Sequence, residues 1–333
     1  MNRSDHYSVS RRRLLAKVGA GVVAGCAAGL AAPRVLAKAP KANVQAPAFY
    51  RFRLGDFEAT VISDGPLLLG PPSGDVFKGF STEEMVKALS DNFLSTETVA
   101  MDQNALVINT GDRIVLFDTG TGNVTMFGPT SGRLLTNLKA AGIDAEDVDA
   151  VVITHAHADH CWALTRADGS LTFPNAQIYL AKADFDFWTD EANGVNDMMK
   201  TLVAGTRKQF MGHRDRLVFV TDGQEFLPGI QAISAPGHTV GHTVYMITSQ
   251  GKSLCNAGDL AHHHVIVMER PRLEFLFDTD GKQAVNSRLR MFDMLAANRI
   301  PMVSYHFPWP GVGFVGKLGD GYRYFPTPMQ TVL

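Results

Sequence analysis

The sequence predicts one α/β domain that follows a short N-terminal export segment. Hydrophobic residues make up 45% of the 333-residue chain, which is enough to bury a sizeable core. Strand-like and helix-like runs alternate along the chain, and no linker divides it after residue 48. Such alternation is typical of an α/β domain. The composition excludes a largely disordered chain, and three cysteines are too few for a disulfide framework.

Residues 1–37 have the features of an export signal. Three arginines at 11–13 precede an apolar run over 18–32 that contains no acidic residue, and residues 35–37 offer a cleavage site. This pattern resembles a twin-arginine signal peptide. We therefore predict a signal over 1–37, a linker over 38–48, export by the twin-arginine machinery and a periplasmic or secreted location in a bacterium.

Two alternatives to a cleaved signal stay open. The apolar run is short for a membrane-spanning helix, which needs about 20 apolar residues, but a permanent anchor is one alternative. A lipid anchor at Cys26 is the other. Cleavage would remove six basic residues and one acid and change the formal charge from −2 to −7. An acidic mature chain is unsuited to nucleic acid. We interpret Cys161 and Cys255, which the mature chain keeps, as buried free thiols.

Turn and cap signals predict several elements of the domain. Residues 81–84 form a Ser-Thr-Glu-Glu capping box and predict a helix through Leu89. Thr110-Gly111-Asp112 lies between apolar runs at 105–109 and 113–117 and predicts a hairpin. Further patterns predict a helix from Leu134 that stops before Gly142, a helix over 287–298, and strands over 52–54, 57–62, 148–154, 177–180, 217–220, 230–235, 243–248 and 253–257.

The segment His155-Ala156-His157-Ala158-Asp159-His160 carries the strongest functional signal. Four side chains of metal-ligand type occur within six residues, directly after the apolar strand 151–154. Zinc takes imidazole and carboxylate ligands, and its catalytic sites keep one position open. We expect a loop here, since a loop lets alternate residues face two different metals.

Four more polar residues each follow an apolar segment. They are Asp118, His238, Asp259 and His306. Together with the six-residue segment, these residues form a set of candidate polar groups from five parts of the chain. Such a set predicts a metal centre rather than an isolated histidine cluster.

These motifs resemble the metallo-β-lactamase superfamily over residues 49 to about 325. Within it, the resemblance is to the group of methyl parathion hydrolase, lactonases and aryl-esterases. This finer resemblance rests on segments that include residues 54–58, 63–65, 127–130, 173–176, 183–185, 237–243 and 319–323. The resemblance implies a four-layer αββα metallo-β-lactamase sandwich, formed by a single domain over 49–333.

The resemblance also implies two divalent metal ions, with zinc the leading identity, and a role for each residue of the motifs. His155, His157 and His238 would hold the first metal, Asp159, His160 and His306 the second, and Asp259 both, while Asp118 would orient a ligand histidine. A hydroxide between the ions would attack the substrate. Asp159 and Asp259 would be the catalytic carboxylates, Asp159 by orienting this nucleophile and Asp259 by holding the ions.

Five further residues are predicted to contact substrate. By the same resemblance, Phe127 and Trp188 would line the leaving-group side. Phe275 and Phe277, downstream of Asp259, are similar candidates, and His262 lies three residues beyond Asp259. An aromatic wall suits a flat, uncharged leaving group. We therefore expect a lactone or an aryl carboxylic ester as substrate, with phosphotriester hydrolysis as the alternative.

Residue types exclude some relatives of the superfamily. An iron-based, flavin-partnered oxidase would have Glu at position 157, and a true β-lactamase lacks the acid at 259. Two classes are left, a metal-dependent hydrolase of small molecules and a non-catalytic metal-binding protein on the same scaffold. The resemblance further suggests a homodimer.

Overall fold

Two β-sheets pack face to face, and helices cover their outer faces. The computed structural model describes residues 48–123 and 125–333, which lie within one compact unit. The predicted export signal over 1–37 and nearly all of the predicted linker lie outside the described residues.

The strands of the described residues have the following bounds. They are β1 Phe49–Leu54, β2 Phe57–Ser63, β3 Leu67–Leu68, β4 Phe77–Lys78, β5 Ala100–Met101, β6 Asn104–Asn109, β7 Ile114–Phe117, β8 Ala150–Val152, β9 Gln177–Ala181, β10 Leu217–Val220, β11 Glu225–Leu227, β12 Ile230–Ser234, β13 Thr243–Ser249, β14 Lys252–Asn256, β15 Glu274–Phe275, β16 Met302–Val303, β17 Val312–Leu318 and β18 Gly321–Pro326. The helices are α1 Thr82–Asp91, α2 Leu134–Ala140, α3 Ala158–Cys161, α4 Lys182–Thr189, α5 Asp197–Met211, α6 Ile266–Glu269 and α7 Gly281–Asn298.

Each of the two main sheets has seven strands in the described part of the chain. The first has the order β1-β2-β6-β7-β8-β9-β10 and the second the order β11-β12-β13-β14-β16-β17-β18. Strands β7 to β10 run parallel, and so do β14 and β16, while the other neighbours are antiparallel.

Three apolar clusters separate the four layers. Side chains of successive strand residues point to opposite faces, so Val107 of β6 packs under the helices whereas Leu106 faces the second sheet. In the second sheet, Leu254 of β14 faces the first sheet and Cys255 packs under the other helices. Both faces of these strands are therefore buried, which explains their nearly continuous apolar sequences. The layers form the αββα sandwich that the resemblance implies.

The structure confirms most of the predicted elements. The capping box is present, since the Ser81 side chain accepts from the Glu84 N–H and the Glu84 side chain accepts from the Ser81 N–H. Cys161 and Cys255 are free and buried, as expected.

Several elements differ from the predictions, including the strand predicted over 148–154, of which only Ala150–Val152 is strand. The helix predicted over 287–298 begins earlier, at Gly281, because Asp280 caps its N-terminus through the Gln283 N–H. Helices α4 and α5 were not predicted. Two of the four buried residues of α5 are polar, so its buried face is not an apolar stripe in the sequence. The segment after β8 is only partly a loop, since Asp159 and His160 lie in the helical turn α3.

No helix within residues 48–123 and 125–333 has both the length and the apolar character needed to cross a membrane.

Candidate metal centre and active site

The polar residues singled out in the sequence meet at one edge of the sandwich. Asp118 follows β7 and the His155–His160 segment follows β8, and these two strands are parallel. In the second sheet, His238 follows β12, Asp259 follows β14 and His306 follows β16, and these three strands run in the same direction. Because the carboxyl ends of strands that run in one direction lie at one edge, five distant segments converge.

Asp259 lies at the centre of this cluster. Its Oδ2 lies within 3.7 Å of the Nε2 atoms of five histidines. The separations are 3.1 Å from His306, 3.3 Å from His160, His238 and His262, and 3.7 Å from His155. One carboxylate therefore contacts histidines of both predicted metal sites.

The two predicted ligand sets each form a compact group. The ligand atoms of His155, His157 and His238 lie within 4.8 Å of one another, and so do those of Asp159, His160 and His306. His238, Asp259 and His262 form another such group.

Several buried polar atoms of the cluster form no hydrogen bond within the part of the chain that the structure describes. The Nε2 atoms of His155, His160 and His238 and the Oδ1 of Asp259 are buried without a hydrogen bond from any described residue. Buried polar atoms are nearly always satisfied. Imidazole nitrogens and carboxylate oxygens that converge without a partner fit a pair of divalent cations, so the residues present suit the group that the resemblance implies.

The opposite ring nitrogens of three histidines are held in place by oxygen acceptors. The Nδ1–H of His160 donates to Asp118 over 2.9 Å, that of His238 donates to Asp278 over 2.8 Å, and that of His306 donates to the carbonyl of Asp102 over 2.9 Å. Such partners fix the tautomer and the ring direction, and they leave Nε2 for the metal. Asp118 thus lies where an orienting acceptor should lie.

Asp118 has a backbone conformation that is uncommon for residues other than glycine. Its φ is 60°, in the left-handed region, and its N–H donates to the Val152 carbonyl at the end of β8. Its carboxylate also accepts from the N–H and hydroxyl of Thr154, both over 2.8 Å. Aspartate tolerates this region better than most residues, and the conformation aims its carboxylate at His160.

Burial and charge set the protonation of the metal-free cluster. Burial lowers the pKa of His155 and of His157 well below the ordinary value, so both rings are neutral, the form that binds metal. The pKa of Asp259 is well below its usual range, because the surrounding histidines outweigh the effect of burial. Although burial opposes it, the carboxylates of Asp259, Asp159 and Asp118 raise the pKa of His160 well above the ordinary value. A bound cation would take the place of such protons.

A cavity of about 650 Å³ opens onto the cluster. Asp159, His157, His238, Asp259 and His306 form its polar floor. Four of the five predicted substrate-contact residues line it, namely Phe127, His262, Phe275 and Phe277. The remaining lining is mostly apolar and comes from Leu67, Leu68, Leu69, Met101, Met126, Gly128, Pro129, Thr130, Ala158, Met198 and Leu202.

Trp188 is the one predicted substrate-contact residue that the structure places outside the cavity lining. Trp188 is 2% exposed, and its ring packs edge-on against His157 with centroids 4.9 Å apart, so it is not part of the cavity lining. It lies in α4, where helical packing turns it towards the core. Trp188 therefore packs behind His157, a predicted ligand, and does not face the cavity.

His262 is more central than its sequence position indicated. Its ring stacks on Phe275 with centroids 3.7 Å apart, and neither ring nitrogen has a hydrogen bond within the described chain. Burial lowers the pKa of His262 to about 3, so the ring is neutral.

Sequence reasoning missed three residues that support the cluster. Asp278 holds His238, and His242 accepts from the Asp259 N–H over 3.0 Å. Asp184 accepts hydrogen bonds from two segments of the centre. The family-like segments 183–185 and 237–243 were the only signals for Asp184 and His242, and no local pattern identifies Asp278, because its partner lies 40 residues away.

The four-layer sandwich and the histidine–aspartate cluster at its edge define a metal-binding αββα protein. The Metallo-beta-lactamase superfamily model matches residues 99–304, and the chain belongs to this superfamily.

Known relatives agree with this assignment. An N-acyl homoserine lactonase of Bacillus cereus is 25% identical over 122 residues, which are 37% of this chain and 42% of that protein. The match thus spans about two fifths of the lactonase.

Two solved structures are similar over most of the chain. AidC, described as a dizinc quorum-quenching lactonase in complex with a product, is 28% identical, with a TM-score of 0.79 over 85% of this chain and 98% of AidC. The hydrolase AbOPH of the beta lactamase superfamily is 29% identical, with a TM-score of 0.79 over 86% of this chain and 100% of AbOPH.

Proposed function

We propose that this protein is a metal-dependent hydrolase of lactones or carboxylic esters that carry an uncharged, apolar substituent. The observation that carries the proposal is the cavity of about 650 Å³ with the Asp259 cluster as its floor and an apolar wall. Its volume is in the usual range for small-molecule sites.

The metal centre would use seven residues. His155, His157 and His238 would hold one ion, Asp159, His160 and His306 the other, and Asp259 would contact both, as the cluster's geometry supports. Two divalent ions would supply an activated water at neutral pH and would stabilise negative charge on the attacked oxygen. Zinc is the leading identity, since AidC is described as a dizinc protein.

The protein's own side chains position the reactants. Asp159 lines the cavity, and its Oδ2 lies 3.4 Å from the His306 Nε2, so its carboxylate is placed to orient the attacking water. The neutral ring of His262, stacked on Phe275, can donate its N–H to an oxygen that gains charge in the reaction. Phe127 and Phe277 complete the wall against the substituent.

The wall selects against charged substrates. Among the described residues, no lysine or arginine lines the cavity, and its only acids belong to the metal cluster. A carboxylate or phosphate group placed against the apolar lining, away from the metal centre, would lose hydration without a partner. The matches to N-acyl homoserine lactonases support a lactone as the leading substrate.

Initial rates on three substrate types test the proposal. An N-acyl homoserine lactone, an aryl carboxylic ester and a neutral phosphotriester would be compared on metal-analysed protein, with and without a chelator. We expect chelator-sensitive hydrolysis, highest on the lactone or the ester. Faster turnover of the phosphotriester would favour the alternative substrate class, because a neutral triester fits the same wall.

A non-catalytic metal-binding protein is the competing class. Such a protein would bind two ions and show no turnover of any of the three substrates above the rate of free metal. That result would refute the hydrolase proposal while leaving the metal centre in place.

Export and assembly are further proposals. We propose a periplasmic or secreted protein, supported by the arginine-led apolar segment over 1–37. Fractionation of cells that express the full chain, with Arg11 and Arg12 changed to lysine as the control, tests the route. The homodimer is tested by light scattering of the purified protein.

A further inference from the structure

A buried carboxylate connects two of the segments that carry ligand histidines. Asp184 of α4 has no exposed surface. Its Oδ2 accepts the Ala156 N–H over 2.7 Å and the Thr239 hydroxyl over 2.8 Å, and its Oδ1 accepts the Gly241 N–H over 2.6 Å. It therefore forms three short hydrogen bonds from inside the core.

The donors lie next to ligands of one predicted metal and not of the other. Ala156 separates His155 from His157, and Thr239 directly follows His238. None of the three hydrogen bonds involves the helical turn of Asp159 and His160 or the segment of His306. Asp184 thus contacts both segments that supply the first site.

The contact between these segments is tight. A methyl group at Gly241 would lie 2.7 Å from the Asp184 backbone nitrogen and 2.9 Å from its Oδ1. Within the described residues, no lysine, arginine or histidine lies within ion-pair distance of Asp184. The carboxylate is stabilised by these donors, so its position and theirs depend on each other.

We propose that Asp184 is a positioning residue for the ion that His155, His157 and His238 would hold. This inference rests on the two-metal centre of the proposed function. Loss of the carboxylate lets the 155–157 segment and the 238–241 segment move apart, which weakens this ion and spares the one assigned to Asp159, His160 and His306.

Metal retention tests the inference independently of activity. The Asp184→Asn variant keeps the size of the side chain, but it turns one acceptor into an amide that faces N–H donors. Wild type and variant would be loaded with zinc, dialysed against graded chelator and analysed for metal per chain. We expect a chelator concentration at which wild type retains two ions and the variant one.

Asp64 provides a matched control. It is also fully buried and accepts from the Thr121 N–H and hydroxyl and from the Leu134 N–H, but it contacts neither segment of the first site. We expect Asp64→Asn to lower the thermal stability without selective loss from the first site. Selective loss from that site in Asp64→Asn would show that any buried carboxylate has this effect and would overturn the specific role.

A second background identifies the ion that is lost. His306→Ala should retain only the first-site ion, and adding Asp184→Asn to it should remove that ion. His238→Ala should retain only the second-site ion, and adding Asp184→Asn to it should change the retention of that ion by less than twofold. If Asp184→Asn fails to fold, Thr239→Val, which removes one of the three bonds, should show the same loss to a smaller extent.

Failure of the inference and failure of the proposed function differ in outcome. Two ions held equally by wild type, Asp184→Asn and Thr239→Val would refute the role of Asp184 alone. Fewer than two ions in the loaded wild type would refute the two-metal centre itself, whatever the variants show.

Discussion

Replacing Gly237 by alanine should displace His238 and disable the first proposed metal site. Gly237 has a φ of +128°, which side chains other than that of glycine rarely adopt. A methyl group there would lie 2.0 Å from the backbone nitrogen of Ala284 in the first turn of α7. Because helix backbone cannot rotate away as a side chain can, the loop that carries His238 must move instead.

The magnitude follows from the geometry. Restoring an ordinary contact of 3.4 Å requires a shift of roughly 1.4 Å. Displacement of a catalytic group by about 1 Å can cost about 100-fold in rate, and the unfavourable φ costs about 1–3 kcal/mol of stability. We therefore expect Gly237→Ala to lose at least one ion in mild chelator and about 100-fold in kcat/KM.

Gly223→Ala separates the backbone strain from the clash. Gly223 also has a positive φ, of +74°, but a methyl group there would meet no atom within 4 Å. This control should lose about 1–2 kcal/mol and keep both ions and wild-type turnover. Denaturant unfolding, metal analysis and initial rates on the preferred substrate measure the three quantities. If Gly237→Ala loses stability but retains both ions and wild-type kcat/KM, the reasoning is refuted.

Three other predictions concern the metal cluster. Asp259→Ala should abolish turnover, because it removes the carboxylate that both proposed metal sites would share. Circular dichroism should show much of the fold intact, and turnover near the wild-type level would contradict the shared role. His262→Leu should alter the ratio of kcat/KM between lactone and aryl ester without changing the metal content, and an equal loss of metal would show that His262 is a ligand. Although burial lowers it, the carboxylates of Asp259 and Asp278 raise the pKa of His238 to about 9 in the metal-free protein. Since the protonated ring cannot bind metal, binding at pH 7 should release a proton and affinity should rise with pH up to about 9. Asp278→Asn should reduce that release in calorimetry with buffers of different ionisation enthalpy, and equal release in both proteins would refute the assignment.

The positions of the candidate ligands were predictable because their signals are local. The histidine-rich segment follows an apolar strand, and a buried strand must end where its chain returns to polar residues. The capping box of α1 depends on residues three apart, so its hydrogen-bond partners can be identified from a short window of sequence. Motifs of this kind show both which residue types are present and where they lie relative to the end of a strand or the start of a helix.

Helices α4 and α5 show where local pattern fails. Only Val203, Thr206, Gln209 and Phe210 of α5 are buried, and two of these four are polar. Their burial depends on partners such as Trp162, whose indole N–H donates to Thr206. No short window of sequence contains that contact.

The amino-acid sequence by itself determined the chemistry of the centre: which imidazoles and carboxylates are available, and which strands end beside them. Only the tertiary structure decided which groups support them. Asp278 meets His238 across 40 residues and Asp184 meets Thr239 across 55, and Trp188 lies behind His157 rather than in the cavity. Such pairings depend on how the helices pack against the sheets. They cannot be predicted from one segment, because the burial of a residue is a property of the whole fold.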